Sequence, residues 1–111
     1  MKTNEEINEM VKQMVVAVCH GGFGRLQAML GAKADKITEN SFQFTFKMFR
    51  KANIFKIELD EAQDLYNCYF IKGLQISDKK FEPVTVKEAK GLFADQVKEF
   101  FESTTGLRTC L

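Results

Sequence analysis

The hydrophobic residues of this chain change their spacing once, and this change constrains the fold more than any other feature of the sequence. In the N-terminal part they recur about every 3.6 residues, which predicts an amphipathic helix. These residues are Ile7, Met10, Val11, Met14, Val15 and Val18. From Phe42 onward apolar and polar residues alternate instead, which predicts half-buried β-strands. The alternating positions are Phe42, Phe44, Phe46 and Met48, and then Phe55, Ile57 and Leu59.

Two helices are predicted before the strands. The first begins at Thr3 to Glu6, a capping box in which the threonine hydroxyl accepts a hydrogen bond from the amide three residues later. Gly21 and Gly22 end this helix. A short second helix is predicted from Phe23 to Leu30, and Gly31 ends it.

A third helix is predicted at the other end of the chain, from about Leu92 to Thr104, with one apolar and one charged face. Gly106 stands where helices commonly end in the left-handed conformation. The residue after it, Leu107, is expected to fold back on Phe101. The predicted helices therefore enclose the strands in sequence, two before them and one after.

Between the helices the pattern predicts an antiparallel meander of three to four strands. A polar turn from Asp35 to Asn40 precedes the first strand, and an acidic turn from Asp60 to Asp64 joins the second strand to the third in a hairpin. The third strand runs from Leu65 to Ile71. After a connector from Lys79 to Pro83, residues Val84 to Val86 form a short edge strand. The predicted fold class is α+β, with the element order α-α-β-β-β-(β)-α.

The third predicted strand does not alternate. Its apolar side chains are expected on both faces of the sheet, although the predicted helices can cover only one face. These side chains are Leu65, Tyr66, Cys68, Tyr69, Phe70 and Ile71. We therefore expect the second face to meet another subunit in a homo-oligomer. The alternative is that Tyr66 or Tyr69 lies half-exposed with its hydroxyl in water.

Length and composition restrict the class of protein. The 111 residues are expected to form a single domain, residues 1–111, with its own core. The formal net charge is +1, so no overall field attracts nucleic acid and any basic binding face must be local. The three cysteines, Cys19, Cys68 and Cys110, are odd in number and form no C-x-x-C motif. This argues against a disulfide framework and a zinc ribbon, and predicts reduced thiols in the cytoplasm.

The sequence carries no export or membrane signal. Its N-terminal region is acidic where a signal peptide is basic. The longest apolar run, Met14 to Cys19, is far shorter than the roughly 18 residues that a membrane-spanning helix needs. We therefore expect an intracellular protein without a membrane partner.

The glycine-rich stretch from His20 to Arg25 invites comparison with phosphate-binding loops. A dinucleotide-binding fingerprint needs a strand before it and a third glycine where Gln27 stands, and a P-loop needs Gly-Lys-Ser/Thr. Both signatures fail, and a plain corner between two helices is the better interpretation. A weak anion site beside Arg25, at the start of the second helix, remains the alternative.

No catalytic residue, metal ligand or cofactor is predicted. His20 is the only histidine and stands at a helix end, where a histidine commonly interacts with the last carbonyl groups. The acidic turn from Asp60 to Asp64 lacks the alternating ligands and central glycine of a calcium loop, which predicts a solvated turn.

Basic and aromatic residues near the strands are the best candidates for ligand contacts. Lysines beside aromatic rings are how sheet surfaces hold single-stranded nucleic acid, and the same placement suits a small nucleotide. The candidate ligand-binding residues are Arg25, Lys47, Arg50, Tyr66 and Tyr69. The alternative is that these lysines serve solubility and protect the sheet edges.

Four segments, spread over nearly the whole chain, resemble a group of small phage and prophage proteins of similar length that are usually labelled hypothetical. They are GGFGRLQAMLGAK, FQFTFK, ANIFKIELDEAQDLYNCYFIKG and KGLFADQVKEFFESTTGLRTCL. The ending F-E-x-x-T-G-L-x-x-x-L is the most specific of them. The chain departs from the group at Phe93, where a tyrosine is more usual, and at residues 108–110. The resemblance implies phage origin and a one-domain build, and it carries no catalytic residue.

These observations together predict a non-enzymatic, phage- or prophage-encoded binding protein of the host cytoplasm. It is expected to self-associate through its sheet, and to sequester or block a host-defence protein or a nucleotide signal. The alternative function is a nucleic-acid-binding accessory protein of phage replication.

Overall fold

The computed structural model describes residues 3–19, 22–47, 51–77 and 80–106. Three helices and five strands follow one another along the chain. They are α1 (Asn4–Val18), α2 (Phe23–Leu30), β1 (Lys33–Ile37), β2 (Ser41–Thr45), β3 (Ile54–Asp60), β4 (Leu65–Ser77), β5 (Lys80–Leu92) and α3 (Ala94–Thr105).

The strands form one antiparallel sheet in the order β1-β2-β3-β4-β5, a meander in which every strand pairs with its neighbour in sequence. The predicted α+β class is therefore confirmed. The predicted number of strands, three to four, is too low. The hairpin between β3 and β4 turns through the exposed residues 61–64, as the acidic composition of the turn predicted.

The additional strand is β1, which occupies part of the predicted polar turn. All five of its side chains are exposed, so its sequence KADKI shows no alternation by which a strand is recognised. The strand forms because its backbone pairs with β2 along the edge of the sheet. An edge strand with charged side chains and a bulge, here between Ala34 and Lys36, also resists pairing with other chains.

The predicted connector from Lys79 to Pro83 is also replaced by strand where it is described. β4 continues to Ser77, and β5 begins at Lys80 and contains Pro83. Proline lacks the amide that a central strand needs, but β5 lies at the sheet edge, where this loss is tolerated. The part of β4 after Ile71 extends past the end of β3, and in the described residues it pairs only with β5.

The core is built from phenylalanines on one face of the sheet. Phe44, Phe55 and Phe70 lie side by side on β2, β3 and β4, and Phe101 of α3 covers them. The ring centroid of Phe55 is 4.9 Å from that of Phe70 and 4.9 Å from that of Phe101. The same face also receives Phe23 of α2, whose ring is 5.9 Å from that of Phe42. The cluster accounts for much of the high phenylalanine content.

The helix ends follow the predicted signals closely. Thr3 and Glu6 form the capping box: the Glu6 amide donates to the Thr3 hydroxyl at 3.2 Å, and the Thr3 amide donates to the Glu6 carboxylate at 3.5 Å. Gly31 and Gly106 adopt the left-handed conformation, with φ of 65° and 73°, where helices α2 and α3 end. The contact predicted for Leu107 lies outside the described residues.

Replacing Thr3 by Ala is expected to lower the free energy of unfolding by about 1 kcal/mol, because the Glu6 amide loses its capping acceptor. Urea unfolding followed by circular dichroism measures the difference. Thr3→Ser is the matched control and should stay close to the wild-type value, since serine keeps the hydroxyl. Equal losses in both variants would contradict the capping role.

Candidate functional site

Tyr66 and Tyr69, the two tyrosines of the chain, lie on opposite faces of the sheet. Along β4, Tyr66 shares a face with the buried Cys68 and Phe70, which pack against the helices. Tyr69 points to the other face, because neighbouring residues of a strand alternate. Both tyrosines are candidate ligand contacts by sequence, and the structure does not bring them together.

Tyr66 borders a groove between α1 and α3. The groove has a volume of about 620 Å³, and its apolar wall is formed by Val16, Ala17, Tyr66 and Ala94. Burial raises the pKa of the Tyr66 hydroxyl above its usual value, and the charge of Asp64 raises it further. Tyr66 therefore belongs to the helical side of the protein and stays protonated at neutral pH.

Lys47 lies at the end of α2. The Lys47 amide donates to the Leu30 carbonyl at 2.9 Å. The Lys47 side chain also packs on Gly31, so closely that a Cβ atom added to this glycine would lie 3.1 Å from Lys47 Cδ. A lysine at this position places its charge near the C-terminal end of a helix, where the helix dipole favours a cation. This contact gives Lys47 a structural role that requires no ligand.

The two arginines of the predicted site, Arg25 and Arg50, have side chains outside the described part of the structure. Arg25 lies in the first turn of α2, and its side chain is outside the described part of the structure. Arg50 lies outside the described residues, as does His20.

The face of the sheet that points away from the helices is called here the open sheet face. It mixes polar and charged side chains with half-buried apolar ones on β3 and β4. In the described part of the chain, its central residues are Gln43, Ile54, Lys56, Glu58, Leu65, Asn67, Tyr69 and Ile71.

A hydrogen-bonded network joins the polar residues of the open sheet face. The Glu58 carboxylate accepts from the Tyr69 hydroxyl and from the Asn67 amide, both at 3.3 Å. The side-chain oxygen Oδ1 of Asn67 accepts from the Gly91 amide at 3.1 Å, and Lys56 Nζ lies 5.6 Å from the centroid of the Tyr69 ring. These contacts restrict the orientation of the Tyr69 side chain.

Glu58 and Asn67 were not among the residues predicted from sequence. The register of the β3–β4 hairpin is the signal from which they could have been predicted. Glu58 pairs with Asn67, and Lys56 with Tyr69, in the ladder that follows from the short acidic turn. Side chains paired in this way across an antiparallel ladder lie close enough to interact.

Charges of both signs lie around Tyr69. Its cross-strand neighbours are Glu88 on β5 and Lys56 on β3, and the Glu58 carboxylate accepts a hydrogen bond from its hydroxyl. At one end of the open sheet face, a cavity of about 640 Å³ is lined by Glu39, Asn40, Glu58, Asp60, Glu61 and Asn67. Negative charge at this end of the face disfavours phosphate there.

Burial is the main reason why the pKa of Tyr69 lies above the usual value of a tyrosine, and the charge of Glu58 and its hydrogen bond to the hydroxyl raise it further. In Tyr66→Phe, Tyr69 is the only tyrosine, and ultraviolet titration follows it alone. Adding Glu58→Gln is expected to lower this pKa, because the neighbouring negative charge is removed. Adding Glu5→Gln, on the exposed surface of α1, is the control and should leave the pKa in place. An unchanged pKa in the Glu58 variant would contradict the network.

The described thiols are buried. Cys19 and Cys68 are both fully inaccessible, and burial raises the pKa of the Cys68 thiol to about 12. Such a thiol is a poor nucleophile and a poor metal ligand, because both roles need the thiolate. Among the residues that the structure describes, no three acidic, histidine or cysteine side chains are grouped so as to hold a metal ion.

Comparison of the chain with protein-family models, with curated proteins and with solved structures finds no match. The described helices include none with the length and apolar character required to cross a membrane.

Proposed function

We propose that the protein is a non-enzymatic binding protein that holds a protein partner on its open sheet face. The observation that carries the proposal is the network around Glu58, which fixes Asn67 and Tyr69 on an otherwise uncovered surface. Side chains that are already held in place lose little conformational freedom when a partner binds. Half-buried Leu65 and Ile71 add apolar contact area beside the network.

At its end near the acidic turn, the open sheet face carries negative charge that favours a partner with basic side chains, whereas Lys33, Lys36 and Lys56 lie elsewhere on the face. Glu58 and Glu88 flank Tyr69, and more carboxylates line the cavity at the end of the face. A lysine or arginine of the partner would find acceptors there, whereas a phosphate would be repelled. In the phage setting implied by the sequence resemblance, the partner is a host-defence protein that this chain sequesters or blocks. A nucleotide signal is less well supported by these charges.

Self-association through the sheet, which the sequence analysis expected, also receives less support. The apolar side chains of the open sheet face lie among charged ones, Lys56 and Glu58, at its centre. Charged residues are depleted at the core of protein interfaces.

A nucleic-acid-binding accessory protein is the second candidate function. One observation favours it: Lys56 Nζ lies 5.6 Å from the centroid of the half-exposed Tyr69 ring. A cation beside a ring is the pair that contacts phosphate and stacks a base in single-stranded nucleic-acid complexes.

Fluorescence anisotropy with two labelled probes, an arginine-rich peptide and single-stranded oligothymidylate, distinguishes the two functions. We expect the peptide to bind more tightly, and Glu58→Gln to weaken its binding severalfold. Glu5→Gln on the exposed surface of α1 is the matched control and should leave binding unchanged. Tighter binding of oligothymidylate, falling steeply with salt and lost in Lys56→Gln, would establish the second function instead.

A further inference from the structure

The groove between α1 and α3 lies on the opposite side of the protein from the open sheet face. Its wall is apolar, and its rim carries two acidic and two basic side chains. These are Glu9 and Lys12 on α1, and Asp95 and Lys98 on α3. Its volume of about 620 Å³ lies within the range of protein ligand sites.

Phe93 immediately precedes a residue that lines this groove. Its side chain is 62% exposed, more than that of any other large apolar residue in the described part of the chain. The next residue, Ala94, lines the groove. The exposed ring therefore belongs to a residue bonded directly to the groove wall.

Phe93 also occupies a position that local structure does not favour. It is the N-cap of α3, where serine, threonine, aspartate and asparagine are preferred because their side chains accept a hydrogen bond. A phenyl ring has no acceptor, and only the reverse bond is made: the Phe93 amide donates to Gln96 Oε1 at 2.9 Å. Residues that break a local rule without a local gain are commonly functional.

We propose that two copies of this chain associate about a two-fold axis, with Phe93 of each copy inserted into the α1–α3 groove of the other. In such an interface the same patch meets itself. A second copy fits this groove because the chain itself carries both halves of the contact, an exposed ring and an apolar groove, and the two acidic and two basic side chains of the rim leave no net charge to repel a copy. The dimer leaves both open sheet faces free, so it stands independently of the proposed function.

Sedimentation equilibrium of the full chain over a wide concentration range tests this dimer. We expect a reversible dimer for the wild type, and a dissociation constant raised about a hundredfold in Phe93→Ser, since aromatic anchors dominate small interfaces. Serine is a good N-cap, so this variant should fold at least as stably as the wild type. Ile37→Ser, which alters another exposed apolar side chain on β1, is the matched control and should dimerise like the wild type.

A mixing experiment identifies the two halves of the contact. Val16→Glu places a charge in the groove and should prevent dimerisation, while Phe93 stays intact. A mixture of Val16→Glu and Phe93→Ser should associate more strongly than either variant alone. In the mixed dimer, Phe93 of the Val16→Glu copy can enter the intact groove of the Phe93→Ser copy. A monomeric wild type, or unaltered dimerisation of Phe93→Ser, would overturn the proposal.

Discussion

Phe55→Ala is expected to lower the free energy of unfolding by about 3–5 kcal/mol, a typical loss for a fully buried phenylalanine. The Phe55 side chain is inaccessible, and its ring contacts those of Phe44, Phe70 and Phe101. Removing it leaves a cavity at the centre of the cluster, between the sheet and α3. Equilibrium unfolding in urea, followed by both circular dichroism and tyrosine fluorescence, measures the loss.

Ile37→Ala is the control for this prediction. Its side chain is 50% exposed on β1, outside the phenylalanine cluster, and its replacement is expected to change the unfolding free energy by less than about 1 kcal/mol. A loss in Phe55→Ala no larger than that of the control would show that α3 does not pack on the sheet as described.

The Cys68 thiol is expected to react with iodoacetamide at pH 8 about a thousandfold more slowly in the native protein than in urea. Burial raises the pKa of this thiol from 9.0 to about 12, so at pH 8 the thiolate fraction is about a thousandfold smaller in the folded protein than in the unfolded chain. Peptide mapping by mass spectrometry assigns the alkylation to this residue. Equal rates in both conditions would contradict the buried position of β4.

The same thiol makes the protein less stable in alkali. Because the pKa is higher in the folded state, the unfolded chain loses this proton first as the pH rises above 9. Stability should therefore fall between pH 9 and 12, by up to about 1.4 kcal/mol per pH unit from this group. Cys68→Ala removes this contribution, and a comparison of urea midpoints across that pH range measures it.

The elements with a clear period were predictable from sequence. The α1 stripe, the capping box at Thr3 and the alternating phenylalanines of β2 each have a local cause that can be read from neighbouring residues. β1 was missed because its side chains are all exposed and show no alternation. The extent of β4 and β5 was underestimated because Pro83 suggested a connector, although a sheet edge tolerates proline.

The candidate site was only partly predictable. The alternation of β4 already separates Tyr66 from Tyr69, but the apolar character of both faces concealed it. The packing of Lys47 against Gly31 could not be predicted, because it depends on how the end of α2 meets the chain after β2, which is a tertiary contact. The partners of Tyr69 depend on strand register, which follows from the hairpin turn only once the turn length is known.

Photo-crosslinking from the open sheet face tests whether this face binds the partner. A benzophenone amino acid placed at Leu65, which lies on this face but outside the hydrogen-bonded network, should form a covalent adduct with a partner protein in a bacterial host lysate. The same group at Tyr66, on the helical side, should give only adducts between two copies of this chain. The Leu65 adduct should disappear when Glu58→Gln is added, because the hydrogen bonds from Asn67 and Tyr69 to the Glu58 carboxylate are then weakened. Partner adducts from Tyr66 and none from Leu65 would place recognition on the helical side and contradict the proposed function.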